Sequence, residues 1–113
     1  MMRLINNLLH DIPEEVPDEL FQPLLEGGSF RLERIISDGH QSPADFWYDQ
    51  PWDEWVVLLA GSATLVMAND AREIELKPFD YVLIPARCRH RVRQTSRGEK
   101  TVWLALHADK TED

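Results

Sequence analysis

The sequence predicts an all-β fold, a sandwich or small barrel, on three observations. From Phe30 onward no window sustains the helical apolar period over several turns. The β-prone stretches are short instead, and Gly61, Asn69-Asp70, Pro78 and Arg97-Gly98 punctuate them at spacings of about ten residues, the rhythm of antiparallel strands. The crossover helices that a parallel α/β sheet requires have no counterpart in the pattern. A chain of 113 residues makes one domain, and its 43% hydrophobic and 9% aromatic content supports a packed core.

Residues 1–29 read as an N-terminal extension packing on the barrel, 30–108 as the barrel and 109–113 as a tail. Within the extension, Val16, Leu20, Phe21, Leu24 and Leu25 give a fragment of helical spacing. Pro17 suits the first position of a helical turn, and the acids around it suit the positive end of a helix. Pro23, Gly27 and Gly28 then stop its growth. One short helix is expected there. The strands that follow are placed at roughly 30–37, 44–49, 54–60, 62–68, 71–76, 80–84, 89–95 and 100–107, with the usual uncertainty of a few residues at each end.

Two of these segments carry polar residues where chemistry is possible. In Phe46–Gly61, FWYDQPWDEWVVLLAG, five aromatics fall among the first ten residues, interleaved with Asp49, Gln50, Asp53 and Glu54. Alternation along a strand sets Glu54, Val56 and Leu58 on one face and Trp55, Val57 and Leu59 on the other. Both faces are apolar beyond Glu54, so the strand is covered on both sides and Glu54 opens a buried strand. A carboxylate there needs a cation, a hydrogen-bond partner or a proton. The plainer alternative puts it at a wet strand end paired with an arginine.

In Asp80–Gln94, DYVLIPARCRHRVRQ, the alternation after Pro85 sets His90, Val92 and Gln94 on one face and Arg89, Arg91 and Arg93 on the other. Three arginines do not fit inside a small barrel, so His90, Val92 and Gln94 are expected to point inward. The arginines then form a solvated face balanced by the acidic segment 11–19, a reading preferred to an anion-binding patch. His90 reads either as a hydrogen-bonded core histidine or as a ligand.

Together these segments resemble the cupins. Glu54 followed by Gly61 is similar to the end of that family's first motif, in which an H-x-H pair precedes a Glu by three or four residues. DYVLIPA, Pro85 and His90 with Gln94 four residues on resemble the second motif, where Asn is usual in place of Gln94. The resemblance covers most of 30–107, is closest to small single-domain cupins with WYDQ…EWV in the first motif, and implies a jelly-roll barrel with a short N-terminal helix. No histidine occupies the first-motif pair. A four-residue gap puts the two positions on Trp47 and Asp49, and a three-residue gap puts them on Tyr48 and Gln50. Phe79 and Arg87 stand where the second motif has glycine.

The resemblance implies a divalent ion (manganese, iron, zinc or nickel) inside the barrel. Asp49, Glu54 and His90 are the expected ligands, Asp49 being preferred because a carboxylate binds such an ion better than an amide, with Gln50 as its substitute. Glu54 and Asp49 are the expected catalytic carboxylates, and Gln50, Gln94, Tyr48 and Trp47 the residues close by. The expected ligand is a small oxygenated organic molecule such as a sugar or organic acid, either transformed by an isomerase, lyase or oxygenase or only bound. Trp47, Tyr48 and Trp52 either line the pocket mouth or, with the outward Trp55, pack the homodimer that the resemblance implies. His107 ends a strand whose phase the pattern leaves open, and is a candidate to stand behind the site.

Twenty acidic against twelve basic residues, a formal charge of −8, argue against a nucleic-acid or anionic-membrane partner. A lone cysteine, Cys88, makes no internal disulfide and is read as structural. The first residues lack the pattern of a signal peptide, and the longest apolar run, 55–60, falls far below the roughly 20 residues of a membrane span, so a cytoplasmic protein is expected.

Overall fold

The short β-prone runs become eight strands among the described residues, 4–69 and 71–109, of the computed structural model. In order they are β1 (Leu20–Glu26), β2 (Phe30–Ser37), β3 (Trp52–Ala60), β4 (Ala63–Met67), β5 (Arg72–Leu76), β6 (Tyr81–Ile84), β7 (His90–Thr95) and β8 (Thr101–Asp109). Two antiparallel sheets, β1-β2-β8-β3-β6 and β5-β4-β7, face each other in a jelly roll. Positions 1–3, 70 and 110–113, and with them most of the expected tail, lie outside the described residues.

Strand alternation builds the core. Registers Ile35↔Trp103, Leu58↔Trp103, Val56↔Ala105 and Glu54↔Ile84 hold one parity of β2, β8, β3 and β6 on the inner face, where Leu65, Met67 and Leu76 of the smaller sheet meet them. Glu54, Val56 and Leu58 are the inward set of β3, and Trp55 faces outward against Tyr81 of β6, ring centroids 5.4 Å apart.

Residues 20–26, where the sequence suggests a helix, form β1. Pro23 explains the difference: β1 is an edge strand paired only with β2, so the missing N–H of proline costs the ladder nothing, whereas it would interrupt a helix. A register shift between Pro23 and Leu25 marks a bulge at Leu24. Residues 44–49 are likewise no strand. Phe46 N–H closes a turn on the Pro43 carbonyl at 3.0 Å, and the segment touches the sheet only through a Tyr48↔His90 bridge.

The start of the extension is tied to the outer face by the buried Arg34 side chain. The Arg34 guanidinium donates to the carbonyls of Leu8, His10 and Asp11 at 3.0, 2.6 and 3.1 Å, and its Nε–H to Gln22 Oε1 at 2.7 Å. Phe79 and Arg87, the two residues at glycine positions of the second motif, both adopt positive φ, 75° and 66°, so the turn keeps its glycine-like geometry and carries the strain of a Cβ there. Among the described residues no helix is long and apolar enough to cross a membrane.

Candidate functional site

The inner faces of the two sheets leave a cavity of about 80 Å³. Its floor is apolar, from Ile35, Val56, Leu65, Ile84, Val92 and Trp103, and its polar groups come from four directions. Glu33 is on β2, Glu54 on β3, His107 on β8 and His90 on β7, while Glu19, Tyr48 and Gln50 come from the segments preceding β1 and β3.

Backbone stitching decides which of residues 47–50 face this space. Tyr48 N–H donates to the His90 carbonyl at 2.7 Å, His90 N–H returns to Tyr48 at 3.2 Å, and Arg87 N–H donates to the Gln50 carbonyl at 2.7 Å. An extended segment held this way alternates, so Tyr48 and Gln50 turn inward and Trp47 and Asp49 outward. The three-residue gap is therefore the one the structure uses. Asp49, expected as a ligand and catalytic carboxylate, is instead exposed beside Arg87, Oδ1 to Nη1 3.4 Å. Trp47 lies outside under Arg89 and Arg91, whose guanidinium carbons stand 5.9 and 5.7 Å from its ring. Arg93 pairs with Glu73, so these arginines answer to local partners and not to the 11–19 segment.

Gln94 also departs from expectation. Leu65 pairs with Val92 but Thr64 with Gln94, a bulge at Arg93 that reverses the phase of β7. Gln94 becomes exposed and Thr95 turns inward.

Glu54 and His90, both buried, do converge. His90 Nδ1 lies 3.0 Å from the Cys88 carbonyl, an acceptor only, so Nδ1 carries the proton and, in the neutral ring, Nε2 holds a lone pair. That nitrogen faces Glu54 Oε1 at 3.7 Å, beyond hydrogen-bond reach. The same oxygen accepts from Gln50 Nε2 at 3.4 Å, which leaves Gln50 Oε1 buried without a partner. The Tyr48 ring stacks on His90 with centroids 5.3 Å apart.

Two further relays end at the cavity. Trp52 Nε1–H donates to His107 Nδ1 at 2.9 Å, so the proton of the neutral ring is on Nε2, which donates to Glu33 Oε2 at 2.8 Å. Trp103 Nε1–H donates to Ser37 Oγ at 3.1 Å, and Ser37 in turn to Glu19. Glu19 and Glu33 were absent from the sequence-based candidates. On β2 the charged and apolar residues occupy both parities, so burial of Glu33 has no alternation to reveal it, and Glu19 arrives through the pairing of β1.

The carboxylates leave an electrostatic mark on Tyr48. Burial, followed by the negative charges of Glu19, Glu54 and Glu33, raises its pKa above the usual 10.0, since phenolate would be both desolvated and repelled. The folded state thus holds its proton where the unfolded chain has lost it. The stabilisation is present below pH ~10 and disappears as pH rises through the elevated folded value. Tyr48→Phe should therefore flatten the alkaline fall in stability, read from urea midpoints between neutral and strongly alkaline pH. An unchanged slope removes Tyr48 as its source.

Whether these groups suit a divalent ion follows from their lone pairs. Asp49 faces away, both nitrogens of His107 are engaged, and the amide of Gln50 turns its N–H toward the Glu54 oxygen that would face an ion. Among the described residues no three His, Cys, Asp or Glu side chains converge to hold a metal. The expected set of Asp49, Glu54 and His90 is not assembled, and one carboxylate with one imidazole does not fit a tightly held ion.

A family model described as the cupin domain matches residues 35–107. Among solved structures, a Ralstonia eutropha JMP134 protein provisionally named as a mannose-6-phosphate isomerase superposes with a TM-score of 0.90 at 50% identity, covering 94% of this chain and 98% of that one. A cupin superfamily protein from Desulfitobacterium hafniense DCB-2 gives a TM-score of 0.72 at 19% identity over 88% and 84% of the two chains. A conserved Streptococcus pyogenes protein of unknown function gives 0.76 at 15% over 99% and 92%. These last two likenesses are of fold alone. No curated protein matches the chain.

Proposed function

Since the chain belongs to the cupin domain family, we propose that its barrel binds a small oxygenated organic molecule and moves protons on it, in the manner of an isomerase. The observation that supports this most is the buried pair of proton acceptors, Glu54 Oε1 and His90 Nε2, facing each other at 3.7 Å beside a tyrosine held in its protonated form. Glu54 takes a proton from the carbon next to the ligand's carbonyl, and the C–H electron pair becomes the double bond of an enediol. Tyr48 protonates the carbonyl oxygen. In the second half, Glu54 returns its proton to the neighbouring carbon and the hydroxyl proton leaves through His90 Nε2 to restore Tyr48. The provisional name of the Ralstonia relative agrees with this reaction type but specifies a phosphorylated sugar, which the acidic lining of this cavity argues against.

The test uses dihydroxyacetone in D₂O, with deuterium entry at carbon followed by proton NMR. Wild-type protein should catalyse entry, and Glu54→Gln should lower the rate by about 10²–10⁴-fold, the usual worth of a positioned base. Equal rates for both proteins overturn the assignment. Binding without exchange leaves the second reading, a barrel that only senses its ligand, which the absence of histidine at Tyr48 and Gln50 favours.

We also propose that two copies associate through the outer face of β3 and β6. Tyr81 and Leu83 are 66% and 61% exposed beside Trp55, and β6 is an edge strand of the larger sheet. A second copy laid against the same strands would cover both features. Trp55→Glu should halve the mass seen by light scattering, and an unchanged mass takes Trp55 out of the interface.

A further inference from the structure

We infer that the site takes an uncharged polyhydroxy carbonyl compound and rejects its phosphorylated or carboxylated counterparts. This rests on the reading of the barrel as a small-molecule site, and narrows it by charge.

Three observations lead there. First, the cavity wall carries Glu19, Glu33 and Glu54 and, among the described residues, no lysine or arginine. An anion entering it would lose its hydration and meet like charges with no cation in the lining; the Arg31 guanidinium, 3.6 Å from Glu33 Oε1, stands outside it. Second, the wall presents buried acceptors that lack a donor. Gln50 Oε1 is buried without a partner, and His90 Nε2 presents a lone pair to Glu54. Such atoms call for hydrogen-bond donors, and hydroxyl groups supply them where phosphate and carboxylate oxygens do not.

Third, the adjoining space on the Tyr48 side offers no anchor for an anion either, and the one described basic side chain near the cavity's other end, Arg31, lines a separate pocket that meets it only at His107. A vestibule of about 320 Å³ adjoins it, sharing Glu19, Tyr48 and Val92 and walled further by Gln41, Ser42 and Phe46. The inner space of about 80 Å³ holds only the reacting end of a sugar, so the remainder, including any terminal phosphate, would occupy this vestibule. Its described lining again contains an acid and no base. The arginines of this end, Arg87, Arg89 and Arg91, are turned to Asp49 and Trp47 on the outer surface.

The experiment titrates full-length ¹⁵N-labelled protein at low salt with dihydroxyacetone and, separately, dihydroxyacetone phosphate. It follows the indole N–H signals of Trp52 and Trp103, whose hydrogen bonds end at Glu33 and Glu19. The neutral compound should bind at least tenfold more tightly than the phosphate. Glu19→Gln, a conservative change outside the strands, should shrink that ratio at least threefold. Glu33→Gln serves as a second reading of the same effect, and added salt should also narrow the ratio.

Equal or tighter binding of the phosphate, or a ratio indifferent to both substitutions, overturns the charge inference while leaving the barrel as a ligand site. Silence of both indole signals toward both compounds overturns the two together.

Discussion

Gly61→Ala should destabilise the protein by about 2–5 kcal/mol, the sum of a left-handed backbone penalty and local overpacking. Gly61 joins β3 to β4 with φ +84°, and a Cβ built on it would stand 2.6 Å from Thr101 Oγ1, 2.9 Å from Thr101 Cα and 3.0 Å from the Lys100 carbonyl. Two of those three atoms are backbone, so no rotamer change clears the space. The corner is also stitched by two hydrogen bonds, with Ser62 N–H donating to Ser96 Oγ at 2.6 Å and Ser96 N–H to the Ser62 carbonyl at 3.0 Å. Gly98→Ala is the internal control. Its φ of +87° carries the same backbone penalty, but nothing lies within 4 Å of a Cβ there, so about 1–2 kcal/mol is expected. Urea midpoints by circular dichroism compare the two. Equal losses would show that close approach to Thr101 contributes nothing.

Trp103→Ala should cost about 3–5 kcal/mol and merge the cavity with the core beneath it. The indole is 4% exposed, packs among Ile35, Leu58 and Leu65, and forms part of the cavity floor. It also orients Ser37 toward Glu19. Trp103→Phe separates the two roles, keeping most of the volume and losing the N–H, for about 1–2 kcal/mol. Guanidinium unfolding followed by far-ultraviolet circular dichroism gives both values. A loss under 1 kcal/mol for Trp103→Ala would mean that the floor collapses to fill the space.

The fold was legible from Phe30 onward because alternation and turn residues are local signals. Seven of the observed strands coincide with predicted ones, and parity grouped Glu54 with Val56 and Leu58, although two apolar faces left open which of them points inward. Parity failed where a single residue changed it. The bulge at Arg93 moved Gln94 to the surface, and the three-residue gap exchanged Asp49 for Gln50 at the cavity. Pro23 misled in another way, since it is a helix breaker by local rules and harmless on a sheet edge.

By itself the sequence determined the strand periods, the family resemblance, and the presence of a glutamate and a histidine on the faces that meet inside. Those depend on residues near one another in the chain. Only the tertiary structure decided that Glu19 and Glu33 join them, that His107 stands between Trp52 and Glu33, and that Asp49 stays outside. These outcomes depend on register between strands far apart in sequence, where one residue of slip sends a side chain to the opposite face.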